Sequence, residues 1–167
     1  MAIDPLVRPF LALELFKGLT PLQITEIARR AERIIYKPGD TIMQKGAPGD
    51  AAIIIVGGTC VRTDGAIKAS DCHPVPEGAL LGELSMLIEQ TFGSTVVALT
   101  PVKALRITRA AMHEMMLDDT RLAEHFVQRI TARLKSVAAE LRRIDRVLAM
   151  PFASSIQGPA NPTTAPA

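Results

Sequence analysis

Between Arg33 and Ile107 the chain never runs far without a break. Pro38-Gly39-Asp40, Gly46, Pro48-Gly49-Asp50, Gly57-Gly58, Asp64-Gly65 and Pro101 interrupt it every few residues. A helix of ordinary length does not fit between such stops, whereas short strands do. The residues between them are suited to strands: Arg33-Ile34-Ile35-Tyr36, then Thr41 to Gln44, then the apolar run Ala51 to Val56. Thr59 to Arg62 and Ala66 to Ala69 flank Asp64-Gly65 as a hairpin. Ser94 to Leu99 and Val102 to Ile107 read as a last pair around Thr100-Pro101. Many short strands with regular turns predict a mainly β unit over 33–108: a sandwich, barrel or jelly roll.

Helical texture lies on both sides of it. Thr20-Pro21-Leu22-Gln23 is a capping box with proline at the first helical position. Ile24, Ile27, Ala28 and Ala31 mark the buried face of a helix running to about Glu32. Pro9 to Leu15 supplies another helical turn or two, so 1–32 is helical. After Ile107, Ala110 to Leu117 forms one short helix, and Asp118-Asp119-Thr120 ends it and caps the next. From Arg121 to Ala149 no Gly or Pro occurs. Val127, Ile130, Leu134, Val137, Leu141, Ile144 and Leu148 recur at alternating spacings of three and four, a heptad seam. Residues 109–149 are therefore expected to be helices. The remainder, 150–167, is Pro, Ala, Ser, Thr and Gly with little to bury, and is expected to be disordered.

Composition removes several classes of function. A net charge of +2 gives no reason to invoke nucleic acid. No apolar run approaches the roughly 18 residues of a membrane span, and the start MAIDPLVRPF lacks a signal pattern, so a cytoplasmic protein is expected. Cys60 and Cys72 suit a reducing compartment and are too few for a disulfide framework or a thiolate metal site. No Ser/His/Asp set, phosphate-cradling lysine loop or HExxH motif is present, so no enzyme and no metal is expected.

The order of elements and their punctuation resemble the cyclic-nucleotide-binding (Crp/Fnr-like) domain family. The resemblance spans about Leu11 to Leu141. It rests on Leu15-Phe16-Lys17-Gly18-Leu19-Thr20 at the entry, Tyr36-x-Pro38-Gly39-Asp40 at the first turn, and Gly46-x-x-Gly49-Asp50. Ile53-Ile54-Ile55 and Gly58 follow in register, then Glu77-Gly78-x-x-Leu81-Gly82-Glu83-Leu84-Ser85, and finally Thr95-Val96-x-Ala98. It implies a double-stranded β-helix, or β-roll, with a long C-terminal helix, and a phosphate-binding cassette over 82–98. It also implies cAMP or cGMP as ligand. Carried over by position, Gly82 is the turn and Glu83 the acceptor for a ribose hydroxyl. Leu84 and Ser85 supply N–H groups at the positive end of a short helix, and Gly93, Ser94 and Thr95 line the phosphate side.

One position departs from the pattern. The family's phosphate-pairing arginine falls on Phe92 and its preceding proline on Thr91, with no gap between the flanking anchors. No Lys or Arg lies between Lys68 and Lys103. Removing one member of a buried charge pair costs about 2–5 kcal/mol. That implies cyclic nucleotide binding roughly thirty- to several-thousand-fold weaker than in an intact member. Phe92 then either fills the emptied space or offers a platform to a less charged ligand. Glu83 is either a retained ribose contact or an acidic residue favoured in a helix's first turn. Arg62, Lys68 and Arg106 are the candidate substitute cations. Activator-type members of that family use hydroxyl side chains midway along the long helix to reach the base, and by that resemblance only Ser136 could serve here. Cys72-His73 reads as loop ahead of Pro74, and Cys60 as a small buried strand residue.

The seam allows two partners. Leu122 and Phe126 pack on the chain's own barrel, whereas Val137 to Leu148 runs beyond it and predicts a homodimer through the C-terminal helix. The order of branched and unbranched residues leans away from a simple parallel pair, and the family habit of parallel pairing outweighs it. Arg121 to Arg146 carries seven Lys/Arg against three Asp/Glu, read as a solvated face with a nucleic-acid or acidic-partner surface as the alternative. The helix-turn-helix of activator-type relatives is not found after the long helix, so DNA is not an expected partner. The expectation is a cytoplasmic regulatory or sensor module with weak or no cyclic-nucleotide binding. Its alternatives are a receptor with a different phosphate site and a ligand-free dimeric interaction module.

Overall fold

A computed structural model describes residues 6–63 and 72–148. The chain divides into two compact units, Met1–Arg129 and Ile130–Ala167.

The first unit opens with α1 (Arg8–Leu11), a 3₁₀ turn (Glu14–Phe16) and α2 (Pro21–Arg30). The capping box forms as expected: the Thr20 hydroxyl accepts from the Gln23 N–H, and the Gln23 side chain accepts from the Thr20 N–H. The helix stops at Arg30, so Ala31 is its C-cap rather than part of its buried face. Short strands follow: β1 (Glu32–Tyr36), β2 (Thr41–Met43), β3 (Pro48–Gly49), β4 (Ala51–Gly57), β5 (Cys60–Thr63), β6 (Cys72–Val75) and β7 (Leu80–Leu81). After a 3₁₀ turn at Glu83–Met86 come β8 (Gln90–Thr91), β9 (Thr95–Ala98) and β10 (Val102–Thr108). Then α3 (Arg109–Asp118) leads into α4 (Thr120–Leu148).

The strands form two antiparallel sheets, ordered β1-β10-β4-β7 and β2-β9-β5-β6, with β3 and β8 as a separate ribbon. Ile53, Ile55, Val102 and Ala104 of the first sheet meet Cys60, Val75, Val96 and Ala98 of the second in one core. Side chains alternate along a strand, so Ile54 and Ala52 point away from that core. They are buried all the same, opposite the buried Leu105 and Ile107, and α3 packs on β10 over this face. β4 is thus covered on both faces, which is why it reads as an unbroken apolar run. Edge-to-face rings tie the ends of this unit together: Phe10 to Phe16 at 5.5 Å and Phe16 to Phe126 at 6.0 Å. Leu122 and Phe126 are buried, as the seam's first turns require.

Two strand expectations are corrected. β9 and β10 do not pair with each other: β9 lies between β2 and β5, and β10 between β1 and β4. The link through Thr100-Pro101 crosses between sheets. Cys72 and His73 are not loop residues but part of β6, paired with Thr63 and Arg62. Pro74 is tolerated there because β6 is an edge strand, where a missing N–H costs no ladder bond. The partner of β5 is therefore 72–75; Asp64-Gly65 and Ala66 to Ala69 lie outside the described residues, as do Lys68 and the tail 150–167.

In the second unit the described part is α4 from Ile130 onward. Leu134, Val137, Leu141 and Ile144 are each about half exposed, and Ser136 is exposed. Leu148 is helical; its side chain lies outside the described ones.

Candidate functional site

The segment 82–98 is assembled around two glycines. Gly82 sits in the left-handed region at φ 61°, and a Cβ there would come within 2.9 Å of the Phe92 ring and 3.1 Å of the Ala51 carbonyl oxygen. Gly49, on β3, is equally confined: a Cβ would overlap the Ser85 side chain and stand 3.1 Å from the Phe92 ring. The ring of Phe92 thus lies over both glycines, half-buried and packed against the core between the sheets. Its backbone is held on both sides, its N–H donating to the Ala47 carbonyl at 2.9 Å and its carbonyl accepting from Gly46 N–H at 2.8 Å.

Glu83, Leu84 and Ser85 begin the turn after Gly82. This turn is a four-residue 3₁₀ segment rather than a longer α-helix, so few peptide dipoles align at its start. Ser85 differs from expectation. Its N–H is already used by the Gly82 carbonyl at 2.8 Å, and its fully buried hydroxyl accepts from Gln90 Nε2 at 2.9 Å. The Glu83 Oε1 is shielded from solvent. Gly93 is exposed, and Ser94 and Thr95 are half-buried. The Thr95 hydroxyl accepts from the Lys45 N–H at 3.1 Å, tying the end of the segment to the β2–β3 connection.

The candidate substitute cations fall apart from one another. Arg106 is held by two carboxylates, Glu32 at 2.8 Å and Asp50 at 2.6 Å. Arg62 is exposed on β5 and paired in register with Val96, so it shares the inward side of its sheet with Cys60 and Ala98. Burial pushes the Cys60 thiol up, which suits an inert core cysteine.

A cation does serve this segment, and it is Arg109, the first residue of α3. One guanidinium nitrogen, Nη1, donates to the carbonyls of Gly49 at 2.8 Å, Ile88 at 3.2 Å and Ser85 at 3.3 Å, while Nη2 stands 3.9 Å from Glu89. One turn further along α3, His113 Nε2 bonds the Leu87 carbonyl at 2.8 Å. A signal for Arg109 exists in the sequence: an arginine in a helix's first turn opposes the macrodipole, so it needs a tertiary reason to be there.

Among the described residues no cluster of His, Cys, Asp and Glu is arranged to hold a metal, and no helix is long and apolar enough to cross a membrane.

Two antiparallel sheets rolled around one core, helices on the outer face and a glycine-bounded turn define a β-roll. The family model described as the cyclic nucleotide-binding domain matches residues 33–119. The chain belongs to that family. It is 32% identical over 105 residues to a cAMP-dependent protein kinase regulatory subunit of Aspergillus fumigatus, covering 61% of this chain and 24% of that protein. It is 23% identical over 132 residues to a CRP-like cAMP-activated global transcriptional regulator of Mycobacterium tuberculosis, covering 72% and 55%. The chain thus spans 24% of the first relative's length and 55% of the second's. Among solved structures, a cyclic nucleotide-binding-like protein from Brucella abortus is 29% identical at TM-score 0.60, covering 68% of this chain and 98% of that one. The N-terminal domain of a transcriptional regulator from Streptomyces coelicolor shares the fold, at TM-score 0.66 and 22% identity over 80% and 95% of the two chains.

Proposed function

We propose that this chain is a regulatory module of the cyclic nucleotide-binding fold in which cAMP and cGMP bind weakly or not at all, acting in the cytoplasm as a homodimer formed through α4. One observation carries the reading: the Phe92 ring lies over Gly49 and Gly82, and the sequence resemblance assigns the family's phosphate-pairing arginine to that residue. An aromatic ring supplies no counter-charge, and burying a phosphate without one is costly. The nearby cation Arg109 is turned to backbone carbonyls and so is committed to holding the segment. The half-exposed Leu134, Val137, Leu141 and Ile144 support the dimer. Isothermal titration of the whole chain with cAMP and with cGMP tests the ligand reading. No heat of binding is expected at micromolar nucleotide; micromolar affinity for either would overturn it.

A second reading rests on Arg62. It lies on the inward side of β5 and makes no ion pair among the described residues, so it is a cation available to an anionic ligand of the roll. If titration detects a cyclic nucleotide, Arg62→Gln should abolish most of the signal. Unchanged affinity in that variant would discard Arg62 as the phosphate partner.

A further inference from the structure

On the outer face of the first sheet, away from the segment just described, the helical layer stops short. Side chains at Ile35, Lys103 and Val56 emerge where β1, β10 and β4 run out beside α1. Lys103 pairs with Gly57 and Ala104 with Ile55, which leaves Val56 as the extra residue of a β-bulge. A bulge re-aims its side chain, and Val56 is 41% exposed in consequence, with Ile35 at 68%. Two recesses meet there, sharing Pro9 and Val56 in their walls. One, of about 240 Å³, is floored by Leu6, Ile35 and Leu105; the other, of about 390 Å³, is closed by Ala12, Ile55 and Gly78.

The rim of this groove has one sign of charge. Arg33 and Lys103 border the first recess and Arg8 the second, and among the described residues no acidic one lines either. None of the three cations forms an ion pair among the described residues. Three other exposed basic groups on this unit are matched with carboxylates, Arg30 with Glu114, Arg29 with Glu26 and Lys17 with Glu14, whereas Arg62 on β5 stands apart as the groove cations do. Contiguous exposed apolar side chains rimmed by polar groups mark an interaction surface, and Ile35 and Val56 stand in that way beside Arg33, Lys103 and Arg8.

We propose that this groove docks a short segment of a partner protein in which apolar side chains are flanked by Asp or Glu. The apolar residues enter the two recesses on either side of Val56, and the carboxylates meet Arg33, Lys103 and Arg8. Two recesses of side-chain size, divided by Val56, favour spaced side chains over a continuous acyl chain. Charge complementarity of this kind sets partner choice and association rate more than raw affinity. The site is separate from the 82–98 segment and does not depend on whether a nucleotide binds.

The test uses the whole chain and a panel of short fluorescent peptides with one Leu/Ile pattern, flanked by Glu, by Gln or by Lys, together with phosphatidylglycerol and phosphatidylcholine vesicles. The Glu peptide is expected to bind, the Gln peptide about tenfold more weakly, and the Lys peptide not at all. Binding should fall with added salt. NMR shifts on adding the Glu peptide should cluster at Ile35, Val56 and Lys103. Arg33→Glu with Lys103→Glu should abolish binding, and Ile35→Gln should weaken it, each with an unchanged melting temperature because these side chains are exposed. Equal binding of all three peptides, binding of none, shifts centred elsewhere, or binding to anionic vesicles alone would overturn the proposal. So would self-association of the chain that is abolished by the same variants.

Discussion

At the residue scale the proposed function turns on Phe92, the residue on which the sequence resemblance places a phosphate-pairing arginine. Phe92 sits over two glycines that leave no room for a Cβ. Replacing Phe92 with arginine returns a planar, permanently charged fork to that position. Phe92→Arg is expected to raise cAMP affinity by about thirtyfold or more, read by titration against the parent chain. No gain would mean that further features of the cassette have also been lost. Gly49 offers a stability test that involves no ligand. Gly49→Ala drives a methyl into Ser85 and the Phe92 ring, and overpacking of this kind costs about 1–3 kcal/mol in chemical denaturation. A variant as stable as the parent would show that the ring and Ser85 move aside freely. The segment of Gly82, Glu83 and Phe92 was singled out in the sequence through its resemblance to the family's cassette. The partners of Arg109 were not: its place in the first turn of α3 signals a tertiary role, but its side chain bonds carbonyls on β3 and on the segment after Gly82, and backbone acceptors carry no residue-type signal.

At the element scale, α3 grips the 82–98 segment at two points one turn apart, through Arg109 and His113. Arg109→Met keeps most of the stem and removes the donors. Amides of 83–90 should then exchange with solvent faster, while those of β4 and β10 keep their protection, as measured by hydrogen exchange. Uniform loss of protection would mean that Arg109 supports the whole fold instead. The joint between α3 and α4 is a single residue. The Asp119 N–H bonds the Met115 carbonyl to close α3, and its carboxylate accepts from the N–H groups of Arg121 and Leu122 to open α4. The side-chain bond from Gln23, and then those backbone donors, hold its carboxyl below the usual aspartate range. A folded-state value depressed in this way contributes stability at neutral pH that is lost only as acid protonates the folded form. The melting temperature should therefore drop more steeply with acid in the parent than in Asp119→Asn, which keeps a capping oxygen. Parallel acid profiles would remove Asp119 from the account. Element type was readable here because caps and periodicity are local. The placement of β9 and β10 in different sheets was not, since a turn at Thr100-Pro101 looks the same whether its arms pair or part.

At the scale of the whole molecule, the apolar stripe of α4 is the feature that most invites a second copy. If the proposed dimer forms, Leu134→Lys with Leu141→Lys should convert it to a monomer in sedimentation while leaving the β-roll's unfolding free energy within about 1 kcal/mol, since both side chains are already exposed. A parent chain that sediments as a monomer would remove the dimer from the proposed function.

The pairing of β1 with β10 has a further consequence, for the making of the protein rather than its working. Glu32 and its ion-pair partner Arg106 are 74 positions apart, and a ribosome adds about 5–20 residues per second. The first strand therefore leaves the exit tunnel and waits about 4–15 seconds for the strand that completes its sheet. Throughout that interval β1 has no strand partner, so this short apolar stretch is where a nascent chain would draw a chaperone or be lost to aggregation.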